Sequence, residues 1–101
     1  MAINANDFSE RERNVLIFCL KNRVKQYKKE DADFLNCSKS WKNFYYYPLL
    51  TSRFKLEESS SKMFLKQERL LINSCVNDEI TNKEGDFKLI EELNIILEKI
   101  N

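Results

Sequence analysis

Six consecutive apolar residues occupy positions 15–20, directly behind a sequence signature for the start of a helix. Ser9 and Glu12 have the spacing of a capping box, in which the side chain of each residue bonds the backbone amide of the other. Val24 and Tyr27 continue one face of the apolar run. Because six apolar residues in a row cover more than one helical turn, a helix that contains them is buried on several sides. We therefore predict a helix over residues 8–29 as the central element of an all-α domain.

Residues that favour tight turns are scarce, with one Gly and one Pro among 101 residues. This scarcity argues against a many-stranded β fold and favours helices joined by polar linkers. The 43% hydrophobic and 33% charged residues are typical of a globular protein. We predict a single helical domain over residues 1–101, built as a small bundle of about four helices. In this prediction residues 1–7 are a flexible N-terminus, and residues 48–61 link the two halves.

The second helix is predicted from aromatic residues that recur at helical spacing after Asp33. We expect this helix to end before Pro48, because proline disfavours the α conformation in the residue before it. The run at positions 44–47 is aromatic on every side and fits extended structure as well as helix. Both conformations therefore stay open for this run.

The second half of the sequence predicts an antiparallel pair of helices. The first of them is expected over residues 62–81, with a cap supplied by the serines at positions 59–61. The residues at 82–85 contain the only Gly and form a clear turn signal. Asp86 follows as a good N-cap for a fourth helix.

The first and third predicted helices share a faint internal repeat at an offset of 56 residues. The matched apolar pairs are Val15 and Leu71, Leu16 and Ile72, Cys19 and Cys75, Leu20 and Val76, and Val24 and Ile80. Two interpretations are open: two similar αα-hairpins with pseudo-twofold symmetry, or a chance alignment of two amphipathic helices. A true repeat would make residues 33–47 helical, because Asp33 and Phe34 resemble Asp86 and Phe87.

Three cysteines, the lack of a secretory signal and the lack of an apolar run long enough to span a membrane predict a cytoplasmic protein. Cys19 and Cys75 fall within apolar helical patterns and are expected to be reduced core residues. The N-terminal residues carry no signal for secretion. No apolar run approaches the roughly 20 residues that cross a bilayer, so we expect no membrane contact.

The residue types needed for most catalysis are missing from the chain. There is no histidine, which excludes the usual general base and the commonest metal ligand. A single Gly excludes Gly-rich phosphate loops. Adjacent acidic pairs point in different directions on a helix and are expected to be solvated. We therefore expect a non-enzymatic protein with no catalytic residues, no metal site and no cofactor.

The strongest functional candidate is the segment 37–55, which is rich in aromatic and basic residues and contains no acidic residue. This composition fits a protein-binding hot spot, and it also fits single-stranded nucleic acid, where basic groups meet phosphates and rings stack on bases. A third interpretation places most of the rings in the core. The predicted partner-binding residues are Lys39, Trp41, Lys42, Tyr45, Tyr46, Tyr47, Arg53 and Lys55.

The leading functional hypothesis is that the chain binds another protein through this segment. Its Lys- and Asn-rich composition resembles that of small phage or mobile-element proteins, which suggests an inhibitor of a host or defence factor. Nucleic-acid binding is the alternative. A homo-oligomer is a third hypothesis, because residues 1–55 carry 11 Lys or Arg against 6 Asp or Glu, whereas residues 56–101 carry 6 against 10.

Overall fold

A computed structural model describes residues 3–83 and 85–101 and contains four helices. The elements are α1 (Glu10–Glu30), α2 (an α-helical turn Lys39–Trp41, a π-helical segment Lys42–Tyr46 and an α-helical segment Tyr47–Glu57), α3 (Lys66–Asn82) and α4 (Phe87–Ile100). Short 3₁₀ turns lie at Ala5–Asp7 and Phe34–Asn36. The predicted small all-α bundle is confirmed.

Helix α1 begins as its capping box predicts. The Glu12 amide donates to Ser9 Oγ at 3.1 Å, and the Ser9 amide donates to Glu12 Oε1 at 2.8 Å. Within the apolar run at 15–20, only the Phe18 side chain is exposed; the others are buried or half-buried in the bundle. The bundle therefore covers most of this run by itself.

The prediction of a flexible N-terminus is wrong for residues 3–7, and residues 1 and 2 lie outside the described part of the chain. Ile3 and Ala5 are buried in the core, as is Phe8 next to them. The Phe64 amide donates to the Ile3 carbonyl at 2.8 Å. Burial of these apolar side chains favours an ordered segment strongly enough to outweigh the entropy that ordering costs.

The prediction of a linker over residues 48–61 is also wrong, because Tyr47–Glu57 is helical and residues 44–47 belong to the same continuous helix. Leu49 and Leu56 are buried in the core. Only the part of the predicted linker after residue 57 connects two helices. Apolar residues at helical spacing, 49 and 56, thus place this segment in the bundle.

Helix α2 passes through Pro48, where the sequence predicted its end. Proline has no N–H to donate, and its ring crowds the carbonyl four residues earlier, which here is that of Phe44. The π-helical segment, in which the Tyr47 amide bonds the Lys42 carbonyl, lies where that crowding would occur. The Phe44 carbonyl accepts a hydrogen bond from Gln67 Nε2 at 3.0 Å instead.

Helix α3 begins at Lys66, four residues later than predicted, and the serines at 59–61 do not cap it. Leu65 is its N-cap, and its backbone amide donates to Glu68 Oε1 at 2.7 Å. The Glu68 carboxylate thus accepts a hydrogen bond from a backbone amide at the start of the helix, a role that was expected of the serine side chains.

The antiparallel arrangement of α3 and α4 is confirmed. Gly85 has a φ of +99°, a conformation that other residues rarely adopt, and the Asp86 side chain accepts from the Leu89 amide at 3.2 Å. At the far end of the pair, Asn73 Nδ2 donates to Asn101 Oδ1 at 3.0 Å. Glu84, within the predicted turn, lies outside the described residues.

Helices α1 and α3 run in the same direction. The residues before each helix pair through Ile3 and Phe64, and the C-terminal halves of both helices line one groove. Residues 56 positions apart on these two helices are buried alike: Val15 and Leu71, Leu16 and Ile72, Cys19 and Cys75, Leu20 and Val76.

Helices α2 and α4 are equivalent at a different offset. Residues 44 positions apart on them are buried alike: Leu49 and Leu93, Ser52 and Ile96, Leu56 and Ile100. The arrangement is that of two similar helical hairpins. The predicted match of Phe34 with Phe87 is wrong, because Phe34 is buried in a 3₁₀ turn whereas Phe87 is exposed at the start of α4.

Candidate functional site

The first hairpin contains a segment that the second hairpin lacks. Residues 31–46 lie between α1, which ends at Glu30, and the last α-helical segment of α2, Tyr47–Glu57. In the second hairpin, residues 83–86 connect Asn82 to Phe87. The first connection is 12 residues longer than the second, which equals the difference between the 56-residue offset of α1 and α3 and the 44-residue offset of α2 and α4. We call residues 31–46 the extra segment. The extra segment contains five aromatic residues: Phe34, Trp41, Phe44, Tyr45 and Tyr46.

Six aromatic rings form a continuous cluster that anchors the extra segment to the end of α1. Tyr27 of α1 contacts Trp41 edge-to-face, with ring centroids 5.0 Å apart and planes at 69°. Phe34 lies 5.7 Å from Tyr46, and Trp41 lies 5.7 Å from Tyr45. The cluster ends with the contact of Tyr46 and Tyr47 at 6.0 Å.

The cluster has a buried side and an outer side. Phe34 is buried, and Trp41 and Tyr46 are half-buried. On the outer side, Tyr45 and Tyr47 have 47% and 45% of their surface exposed. Phe44, which is next to Tyr45 in the sequence but is not part of the cluster, is 58% exposed. Phe44, Tyr45 and Tyr47 therefore lie outside the core, in contrast to the interpretation that places most of the rings there.

Two of the predicted basic contacts are occupied inside the molecule. Lys55 Nζ donates to Glu68 Oε1 at 2.6 Å and to the Met63 carbonyl at 3.0 Å. Arg53 Nε donates to Glu57 Oε1 at 2.7 Å, one turn further along α2. The structure thus places Lys55 in a stabilising contact of the bundle and Arg53 in a local ion pair.

The remaining predicted cations lie beside the rings. Lys39 is exposed and Lys42 half-buried, in the first turns of α2. We define the aromatic surface as Trp41, Phe44, Tyr45 and Tyr47 together with these two lysines. Five of the eight residues predicted to bind a partner belong to this surface: Lys39, Trp41, Lys42, Tyr45 and Tyr47. Tyr46 is half-buried beside them.

Sequence reasoning did not include Tyr27 and Phe34 among the partner-binding residues. Tyr27 continues the apolar face of α1 and was assigned to the core, yet its ring also supports Trp41. Phe34 contacts both Tyr27 and Trp41 with centroids 6.0 and 6.3 Å away. The helical spacing of Phe34 and Trp41 is the sequence signal that these rings share one face, although it predicts one regular helix, whereas Phe34 lies in a 3₁₀ turn before α2.

A groove of about 370 Å³, lined mainly by polar residues, lies between the C-terminal halves of α1 and α3. Cys19 and Cys75 line it, together with the buried carboxylate of Glu79, which accepts from Asn22 Nδ2 at 2.8 Å. Burial raises the pKa of Cys19 to about 12 and that of Cys75 to about 11. Both thiols are therefore protonated at neutral pH, which makes them poor nucleophiles.

Two further features bear on the kind of site that the described residues form. Over residues 3–83 and 85–101, no three Cys, Asp or Glu side chains are arranged so that they could hold a metal ion. In the same part of the chain, each helix is too short or too polar to span a lipid bilayer.

The fold and the site together define a class: a small bundle of two similar helical hairpins, one of which carries an additional aromatic segment. No family model, curated protein or solved structure matches this chain.

Proposed function

We propose that this protein binds a partner protein through the aromatic surface. The observation that carries the proposal is the exposure of three neighbouring rings, Phe44, Tyr45 and Tyr47, on the extra segment and the residue that follows it. Exposed aromatic residues are enriched in protein interaction sites, where each ring supplies a large contact area and loses little conformational entropy.

The backbone beneath these rings is held in place, which favours binding without prior rearrangement. Gln67 of α3 bonds the Phe44 carbonyl, and the Ser38 side chain caps the first turn of α2 by accepting from the Trp41 amide at 3.2 Å. A preorganised surface loses less entropy when a partner binds.

The experiment is affinity capture from an extract of the native host. We expect a variant with Phe44→Ala, Tyr45→Ala and Tyr47→Ala to lose the partner that the parent retains. Phe87→Ala is the matched control, because Phe87 is an aromatic residue with 81% of its surface exposed on α4. Circular dichroism and urea unfolding check that each variant keeps its fold. If the triple variant captures the same proteins as the parent, the proposal is wrong.

The proposal for the class of partner is based only on the Lys- and Asn-rich composition of the chain. We propose a host or defence factor that a phage or mobile-element protein inhibits in the cytoplasm. The three free cysteines support a reducing compartment. Neighbouring genes with phage or defence functions would support this assignment, and neighbours of purely metabolic function would count against it.

Nucleic-acid binding is the second candidate, and one observation favours it. Among the described residues, six lysines on α1 and the start of α2 make no ion pair: Lys21, Lys25, Lys28, Lys29, Lys39 and Lys42. Phosphate binding by these lysines would weaken steeply as salt is added. A filter-binding titration with single-stranded and duplex oligonucleotides tests it, and no retention at low salt would exclude it.

A further inference from the structure

A cleft of about 210 Å³ lies between the end of α1 and the extra segment. Its aromatic side is formed by Tyr27, Phe34 and Trp41, whose rings contact one another at 5.0 to 6.3 Å with planes inclined by 44° to 73°. Because each ring contacts the other two, a ligand in the cleft would lie against a group of three packed aromatic rings.

The rim of the cleft is acidic. Glu30 and Asp31 line it, and no Lys or Arg does. One oxygen of each carboxylate is occupied locally: Gln26 Nε2 donates to Glu30 Oε1 at 3.3 Å, and the Asp33 amide donates to Asp31 Oδ1 at 2.9 Å. Both residues are exposed, so the second oxygen of each carboxylate can accept a hydrogen bond from a bound group.

Aromatic faces beside carboxylates favour a cation and disfavour phosphate. A guanidinium group is planar, stacks on the face of Trp or Tyr, and donates several hydrogen bonds to carboxylates at once. A lysine ammonium is more strongly hydrated and cannot stack in this way. The chemistry of the cleft therefore matches the side chain of arginine better than that of lysine.

We propose that the cleft receives an arginine side chain of the partner protein. The proposal rests on the proposed function and specifies the chemistry of the partner. The cleft continues into the aromatic surface through Trp41, which contacts Tyr45 on the outer side. One partner segment could thus place an arginine over Trp41 while its neighbouring residues contact the exposed rings.

The single tryptophan of the chain makes the cleft directly observable, since Trp41 supplies all the indole signal. The probe is a blocked Gly-Arg-Gly tripeptide, titrated while the Trp41 indole resonance and fluorescence are followed. We expect a saturable change with the arginine peptide, a weaker response with Gly-Lys-Gly, and none with the citrulline peptide, which has the same shape without the charge. Equal responses to the arginine and citrulline peptides would overturn the proposal.

Variants separate this proposal from the proposed function. The double variant Glu30→Gln with Asp31→Asn should bind the arginine peptide about tenfold more weakly than the parent, because charge-assisted hydrogen bonds to the two carboxylates are lost. Glu91→Gln, an exposed carboxylate on α4, is the matched control and should change nothing. An unchanged titration in the double variant overturns the arginine cleft alone. Retained partner capture by the Phe44, Tyr45 and Tyr47 triple variant overturns the proposed function.

Discussion

Lys55 occupies in one hairpin the place that Lys99 occupies in the other. Lys55 Nζ bonds Glu68 at 2.6 Å and the Met63 carbonyl at 3.0 Å, and it lies 5.8 Å from the centroid of the Phe64 ring. Lys99 Nζ makes three equivalent contacts, with partners that lie 56 positions before those of Lys55. It bonds Glu12 at 2.7 Å and the Asp7 carbonyl at 3.4 Å, and it lies 5.8 Å from the centroid of the Phe8 ring. Each lysine thus joins the second helix of one hairpin to the first helix of the other.

The two contacts differ in burial, which predicts different effects of the same substitution. The side chains of Lys55 and Glu68 are 17% and 1% exposed, whereas those of Lys99 and Glu12 are 38% and 14% exposed. We expect Lys55→Met to lower the free energy of unfolding by about 3 kcal/mol, because it leaves a buried carboxylate without its cation. Lys99→Met should cost about 1 kcal/mol or less. Urea unfolding measures both, and equal losses would contradict the prediction.

Glu12 gives the molecule a predictable response to acid. Burial alone would raise the pKa of Glu12, but hydrogen bonds from Lys99 and from the Ser9 amide outweigh it, so its pKa lies below the ordinary value of 4.5. A carboxylate with a lowered pKa stabilises the fold above its unfolded pKa, and this contribution is lost as the pH falls through the folded pKa.

The matched test of this response compares the parent with Lys99→Met. We expect the difference in unfolding free energy between the two proteins to be largest near pH 7 and to shrink as the pH falls below about 4.5. Urea unfolding at a series of pH values measures it. A difference that stays constant between pH 7 and pH 3 would show that Glu12 does not carry this pH dependence.

The parts of the fold that depend on nearby residues could be predicted from the sequence. The capping box at Ser9 and the turn at Gly85 and Asp86 each involve residues within a few positions of one another. The course of α2 could not be predicted, because its passage through Pro48 is accompanied by a hydrogen bond from Gln67, 23 residues after Phe44. Contacts between distant residues leave no periodic signal in the sequence.

In the candidate site, too, features that depend on nearby residues could be predicted from the sequence, and features that depend on distant contacts could not. The sequence could predict that at least one of the tyrosines at 45–47 is exposed, because three consecutive tyrosines cannot all face one core; the structure exposes Tyr45 and Tyr47. The engagement of Lys55 by Glu68 could not, because it depends on how α2 and α3 pack. The extra segment becomes recognisable only when the 44-residue offset between α2 and α4 is known from the structure.

Cysteine reactivity should follow burial. Cys19 and Cys75 are buried with raised pKa values of about 12 and about 11, whereas Cys37 is half-buried at the edge of the aromatic cleft. Because the thiolate is the reactive form, we expect a thiol reagent at pH 8 to label one cysteine per native chain quickly and all three in denaturant. Cys37→Ser is the control and should abolish the fast reaction. Fast labelling of two or three native thiols would contradict the assignment.

Ser52 is a polar residue on the buried face of α2. Its side chain is fully buried, and its Oγ has no hydrogen-bond partner among the described residues. The equivalent position in the second hairpin is Ile96, an apolar residue that is buried to the same extent. A buried hydroxyl without a partner carries the full cost of leaving water, which is about 1–3 kcal/mol.

Ser52→Ala should therefore stabilise the protein, because it removes the hydroxyl while changing the packed volume little. Alanine also forms helix more readily than serine, so part of any gain would come from helix propensity. Ser40→Ala supplies the comparison, since Ser40 is an exposed serine of the same helix. We expect Ser52→Ala to raise the free energy of unfolding by about 1 kcal/mol more than Ser40→Ala does. A loss of stability in Ser52→Ala would show instead that the hydroxyl is satisfied in solution, for example by a bound water molecule.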